Sequence, residues 1–530
     1  MMERMVHRAY RWVAVLSVGA GMLVSPVRAA DDIERGIAAM DRGNLVEAIK
    51  LLGGAAAANP QSFKAQFNLG SACYMYGDYG KARAAFEAAV ALQPDEMRAA
   101  ANLASTYSVL GESDKAIELY RKLASRNPSS ADIQNNLAGV LQGAGRLDEA
   151  VKAFDKAISI DPTKPDYYVN MGNLYMLMSR LDEARERYQR ALSLDSKSSG
   201  GMVGMGRIAR ERSENEKARG YFLTAIKNDP RAWEAHGELG LLDEMDGQYD
   251  QAIYRYTQAL RIMPGSPRFV KALASTYTKK KDFESAIALY RQLVGLDGGT
   301  VESYGELGIV YHRAGKHMEA VDAFKQAADK GTLSARFLNT LGRTYLALNK
   351  DDMARSCFED VLKTDANNME ARLQVGILEY RSKNWAQAEK YLRGVLALNA
   401  ADLDARYYVG LIEVQKGRYD EALKQFKEML TMVSKDPRVH YGLGLAYARK
   451  KDMQRAIESL TKAIDLEPRH LDARWELGKI YESIDYKEMA YKEFKAILNT
   501  DPEHPLKEQI SEKMKRLRDA GVQDADVRKY

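Results

Sequence analysis

Small and large apolar positions recur along this chain with one fixed period. Alanine returns every 34 residues, at Ala48, Ala82, Ala116, Ala150, Ala184, Ala218, Ala252, Ala286, Ala320, Ala354, Ala388, Ala422, Ala456 and Ala490. Twelve residues before each stands a glycine or alanine, as at Gly36, Gly70, Ala104, Ala138 and Gly172. Four residues after each stands a large apolar residue, aromatic in eleven of the fourteen cases, among them Phe86, Tyr120, Phe154 and Tyr188. Two small residues and one large one at fixed offsets predict a pair of closely packed helices. The small positions let the backbones approach, and the large side chain fills the space beside them. The phase never slips, so each segment is one helix–turn–helix unit that buries its apolar face against its neighbours.

The second unit carries Leu69-Gly70, Gly77 at the turn, Ala82, Phe86, Ala89 and Pro94. With this pattern and period the chain resembles the tetratricopeptide repeat family over 29–504, in fourteen consecutive repeats without an insertion. The resemblance implies an all-α fold: a right-handed superhelical solenoid of fourteen 34-residue helix-turn-helix repeats plus a C-terminal capping helix. Repeat one (29–62) has Arg35 where later repeats place Leu, Met or Val, as a polar end cap would. Pro94, Pro128 and Pro162 end second helices, because proline cannot continue them. At repeat five Ser196 replaces the proline and Ser198-Ser199-Gly200-Gly201 follows. The stretch 196–204 is therefore a candidate flexible joint, with a frayed first turn as the alternative, and Asp297-Gly298-Gly299 is a second candidate. From Pro505 to about Ala520, Leu506, Ile510, Met514 and Leu517 stand at helical spacing and predict the closing helix, followed by a loose tail to 530.

At 530 residues the chain is too long for one compact core and suits a repeat array. Its 28% charged and 46% hydrophobic residues are ordinary for a soluble protein. Of the net charge of +5, residues 1–29 supply +3, four arginines against Glu3, so nothing global points to nucleic acid. Three of those arginines precede the apolar run Trp12–Val24, and Ser25-Pro26-Val27-Arg28-Ala29-Ala30 follows it. This is the layout of a cleavable secretory signal peptide, with cleavage expected after Ala29. The thirteen-residue run is short for a membrane span, and an uncleaved anchor is the alternative. The layout looks bacterial and places the mature chain, which has no second apolar run, in a Gram-negative periplasm. Cys73 and Cys357 lie eight repeats apart, so a disulfide is not expected and both read as small core residues.

In tetratricopeptide proteins the first helix of each repeat lines the concave surface, chiefly through positions two, five, six, nine, twelve and thirteen. Three patterns stand at those positions here. Asn68, Asn102, Asn136 and Asn170 occupy position six of four consecutive repeats, with Asn135 and Asn173 beside them. A carboxamide donates and accepts, so such a row can bond both groups of an extended peptide backbone. It is similar to the asparagine ladder in the repeat domain of O-GlcNAc transferase, and the alternative is that each asparagine supports its own helix. Lys279, Arg313, Arg381 and Arg449 stand at position thirteen of later repeats with Arg343 nearby, a set that would take an anionic ligand unless Glu302, Glu306, Glu370 and Asp404 neutralise it. Tyr380, Tyr407, Tyr408, Tyr441 and Trp475 form an aromatic group, either partner anchors or packing between first helices. The Lys/Asn clamp by which some family members hold chaperone tails occurs in no three successive repeats.

Chemistry-bearing motifs are sparse. Gly204-Met205-Gly206-Arg207-Ile208-Ala209 matches a dinucleotide fingerprint, but no strand precedes it and Gly206 is the small residue of repeat six. The seven histidines are scattered, His312 and His317 being the closest pair. No cofactor, no metal site and no enzymatic activity are expected. The leading functional reading is a periplasmic scaffold that binds envelope proteins in its groove to assemble a polysaccharide-export, secretion or pilus system. The alternative is a direct binder and guide of an anionic polysaccharide.

Overall fold

The computed structural model describes residues 26–522. Most of the expected signal segment therefore lies outside the described residues, and Ala29 falls within the first helix, Pro26–Asp41. Among the described residues there are 29 helices and no strand. They form fourteen helical pairs, such as Phe63–Tyr76 with Tyr79–Leu92, and a closing helix, Lys507–Asp519. None of them is long and apolar enough to cross a membrane.

The elements follow from local chemistry. Polar side chains cap many helix starts: Ser62 Oγ accepts from Ala65 N at 3.3 Å, and Asp78 Oδ1 from Lys81 N at 3.1 Å. The turn inside each pair puts one residue, the fifteenth of its repeat, at positive φ in all fourteen repeats. Seven of these are glycines, such as Gly77, and seven are Ser179, Ser213, Lys281, Asn349, Lys383, Lys451 and Asp485. The repeated alanine is fully buried in every repeat. A Cβ placed on Gly70 would lie 2.7 Å from the Phe86 ring, on Gly172 2.6 Å from Tyr188 and on Gly308 2.9 Å from Phe324. No real side chain survives such a distance, so the ring rests directly on the facing backbone.

Each unit has the same packing order: a helix packs on the next helix in sequence, and first helices of successive repeats also touch. The chain divides into two compact units, one ending at Phe269 and the other beginning at Val270. At the candidate joint, Ser198 caps helix Ser199–Glu211 by accepting from Gly201 N at 3.2 Å. Its glycines are packed: a Cβ on Gly200 would lie 3.0 Å from Val169, and one on Gly201 3.0 Å from Leu192. Asp297 Oδ1 accepts from Gly299 N at 3.0 Å, and Thr300 with Ser303 forms a capping box. In the closing helix Ile510 and Leu517 are buried, with Leu506 and Met514 against the same cluster as Phe494 and Ile497. Cys73 and Cys357 are free and buried, and burial pushes the Cys357 thiol up to about 11.

Two predictions follow from this packing. Ala150→Leu overpacks a fully closed hairpin and lowers stability by about 1–3 kcal/mol, read as a drop in the unfolding midpoint. The second concerns Glu389. Burial opposes its ionisation, but hydrogen bonds from Lys416, Arg393 and Arg418 outweigh that and hold the carboxyl at about 2, below its ordinary 4.5. Its contribution is thus fully present above pH 4.5 and is lost as the pH falls toward 2. Glu389→Gln melts below the parent at pH 7, and the difference shrinks progressively between pH 4.5 and pH 2. A difference independent of pH over that range contradicts the assignment.

Candidate functional site on the first-helix faces

In the first unit, the sixth residue of each first helix places the asparagines along one face. They are not equivalent. Asn68 Nδ2 donates to Lys64 O of its own helix at 2.7 Å. Asn102 makes no side-chain hydrogen bond among the described residues. Asn170 Nδ2 donates to Asn135 Oδ1 at 3.0 Å, and Asn135 Nδ2 to Asn136 Oδ1 at 3.3 Å, so carboxamides of repeats four and five form a chain. Asn173 Oδ1 accepts from the Tyr188 hydroxyl at 2.7 Å. Asn136 Nδ2, Asn173 Nδ2 and Asn170 Oδ1 are left without partners among the described residues, and with Asn102 they offer both donors and acceptors.

Asn136 and Asn170 line a cavity of about 510 Å³, and Asn102 lines a second of about 230 Å³. Tyr74 and Ser105 belong to both, so the two adjoin, and Asn68 lines neither. The row stops at repeat six for a steric reason: Gly204 lies against the Tyr188 ring of the preceding repeat, where any Cβ would collide. Gly206 meets Phe222 in the same way, so the glycines of the dinucleotide-like motif serve packing inside a helix.

The first-helix face of the second unit is electrostatically self-paired. Arg336 forms a two-pronged bond with Glu306 at 2.6 and 2.9 Å, Lys271 bonds Glu302 at 3.1 Å, and Arg438 bonds Asp404 at 2.6 Å. Of the expected anion-binding row, Arg343 bonds Glu370 at 3.1 Å, Arg381 lies 3.5 Å from Asp351, and Arg449 lies 4.0 Å from Glu476. Lys279 is likewise engaged. Among the described residues Arg313 alone of the five has no partner. It is exposed at a cavity of about 760 Å³ that also meets Arg336, Arg343 and Asn339. Asn339 Oδ1 is buried there without a partner. At the edge of this cavity His312 Nδ1 lies 3.0 Å from Thr344 Oγ1, while the Thr344 hydroxyl donates to Thr340 O, so the imidazole is the donor. The His312 and His317 rings lie 5.4 Å apart.

The late aromatics are half-buried and touch one another or the core. Tyr408 lies 5.2 Å from Tyr380 and 5.4 Å from Tyr407 between ring centroids, Tyr441 4.9 Å from His470 and Trp475 5.4 Å from Phe494. Burial pushes their phenols up, that of Tyr380 to about 12. An exposed feature of the first unit stood unread at position thirteen: Met75, Val109, Leu177 and Met245 are each about half exposed or more, two helical turns beyond position six on the same face. Comparing that one position across all repeats, rather than only among the late basic ones, reveals it.

Models of the tetratricopeptide repeat match residues 129–197, then 33–97, 203–267, 339–402, 373–437, 410–469 and 441–485, and also 74–139 and 245–304. Among curated proteins, the chain is similar to Small glutamine-rich tetratricopeptide repeat-containing protein 2 of Saccharomyces cerevisiae, 26% identical over 15% of this chain and 23% of that protein. It is similar to Anaphase-promoting complex subunit CDC16 of the same yeast, 25% identical over 28% of this chain and 18% of that protein. It is also similar to Type IV pilus assembly protein PilF of Pseudomonas aeruginosa, 25% identical over 31% of this chain and 66% of that protein. Each match spans less than two thirds of the relative's length. Among solved structures, the Cut9-Hcn1 hetero-tetramer of the APC/C is 14% identical with a TM-score of 0.40, covering 94% of this chain and 99% of that chain. A tetratricopeptide repeat protein from Parabacteroides merdae is 21% identical with a TM-score of 0.40, covering 48% of this chain and 98% of that chain. With its unbroken 34-residue period, its buried alanine in every hairpin and repeat models matching more than half its length, this chain belongs to the tetratricopeptide repeat family.

Proposed function

We propose that the chain is a protein-interaction scaffold that holds extended segments of partner proteins on the first-helix face of repeats two to five. Asn102 carries this reading: a half-exposed carboxamide, unbonded among the described residues, on a cavity that shares Tyr74 and Ser105 with the one that Asn136 and Asn170 line. A peptide backbone presents one donor and one acceptor per residue, which is what these groups lack. The systems it would assemble are those of the bacterial envelope, polysaccharide export, secretion or pilus biogenesis, with the mature chain in the periplasm after cleavage following Ala29. Support for that setting is the basic–apolar–small pattern of residues 1–29 and the similarity to a protein named for type IV pilus assembly. The role is non-enzymatic and needs no cofactor.

A second reading, direct binding of an anionic polysaccharide, rests on Arg313 and its cavity. It predicts binding that weakens with salt and is lost in Arg313→Ala.

For the scaffold, a photo-crosslinker at Asn102 is expected to give a discrete protein adduct in the native envelope. The same probe at Glu118, exposed on the second helix of repeat three, is expected to give none. Equal labelling at both positions sinks the proposal. With the partner in hand, Asn102→Ala weakens its binding about fivefold to tenfold, the loss of one or two hydrogen bonds.

A further inference from the structure

Positions five, six, nine, twelve and thirteen of the first helix make twenty places in repeats two to five. Not one of them holds Asp, Glu, Lys, Arg or His; repeat two, for instance, reads Phe67, Asn68, Ser71, Tyr74 and Met75. None of the twenty is buried. Solvent-facing places are where charges ordinarily stand, and this chain is 28% charged, so the absence calls for a reason. The strip is also bounded. At the same five positions repeat one carries Glu34 and Asp41, and repeat six carries Arg207, Arg210 and Glu211. Of the later repeats only the twelfth is free of charge there, and its Leu411 and Val414 are buried. Across the strip, each of repeats two to five regains a charge at position two, from Lys64 to Asp166, and at position sixteen, from Asp78 to Arg180.

Two kinds of group lie inside these limits. Position six supplies the carboxamides, Asn102 among them without a bond. Position thirteen supplies Met75, Val109 and Leu177, which are 57%, 49% and 58% exposed. Met75 lines the same cavity as Asn102, and Val109 the same cavity as Asn136 and Asn170, so the two kinds meet. Neither cavity is lined by a charged residue. Exposed apolar side chains gathered on one face mark a contact surface. A carboxylate or ammonium group brought onto this strip loses water and finds no counter-charge. An extended apolar segment covers Met75, Val109 and Leu177 while its backbone answers the carboxamides. An amphipathic helix offers apolar side chains too, but it spends its backbone groups on itself and leaves the carboxamides unanswered. The complementarity is of neutral with neutral, and it discriminates by exclusion.

We propose that the segment held on repeats two to five is an uncharged, apolar stretch of a partner protein in extended conformation, sorted from other sequences by the absence of charge along the strip. This rests on the scaffold reading above and adds to it the class of sequence that is bound. With neighbouring helices about 10 Å apart and about 3.3 Å per extended residue, the stretch is roughly ten residues long.

The test is selection of a random displayed peptide library on the full chain, followed by anisotropy titrations with one selected peptide. Selected peptides are expected to lack Asp, Glu, Lys and Arg over a window of roughly ten residues and to be rich in Leu, Ile, Val, Met and Phe. One Asp placed at the centre weakens binding about tenfold or more. Val109→Lys and Leu177→Lys each put a cation at the C-terminal end of a first helix, where a cation is favourable, so both are expected to melt as the parent does. Each binds the uncharged peptide about fivefold to tenfold more weakly, and the Asp-bearing peptide more tightly, than the parent does. Leu223→Lys, exposed on the second helix of repeat six, leaves binding unchanged. Selected peptides that carry charges as often as the library, peptides that turn helical on binding by circular dichroism, or unchanged binding in both position-thirteen variants overturn the proposal; weakening by Asn102→Ala in that case leaves the scaffold reading standing. Recovery of no binding peptide at all overturns both.

Discussion

In each hairpin a large side chain from the second helix lies on the backbone of the first, at a residue that has no side chain or only a methyl group. The Phe86–Gly70 and Tyr188–Gly172 contacts leave no room for a single added carbon. That closeness fixes the depth of the hairpin, and with it where positions two, five, six, nine, twelve and thirteen of the first helix emerge. The same rule also limits the binding face. Gly204 and Gly442 stand at position six because the ring of the previous repeat reaches them, so repeats six and thirteen cannot carry an asparagine there without repacking.

The first-helix face changes character along the chain, and from repeat six onward charges pair across it, as Arg207 does with Glu238. In repeats two to five the face is uncharged along its middle and polar groups remain unspent, which favours a ligand that supplies complementary hydrogen bonds. In the second unit a carboxylate of one repeat bonds a cation of the next, as in Glu306 with Arg336 and Asp404 with Arg438. A pair at hydrogen-bond distance gains little from a third charge and must be broken to bind one. Arg313 is where this internal accounting leaves a charge over.

Much of the fold is legible in the sequence because it depends on one steric contact, repeated: Gly70, Ala82 and Phe86 report it, and the same triplet of offsets returns fourteen times. The site is less legible. Asn68 and Asn102 look identical in sequence, and what separates them is a bond from Asn68 to its own helix. Arg343 pairs with Glu370 across a repeat boundary and between different positions, so reading down one position hides the partner. Tyr407 and Tyr408 read in sequence as anchors or as packing alike, and the contact between their rings is visible only in the structure.

The left-handed residue at each hairpin turn has a consequence for how such a protein can change over time. Seven turns carry Ser, Lys, Asn or Asp in a conformation that is about 1–2 kcal/mol easier for glycine. None of these turn residues lines the cavities described above. Each is a private dial on the durability of one repeat, so an evolving lineage can absorb a costly innovation on the binding face by resetting a turn nearby, one hairpin at a time.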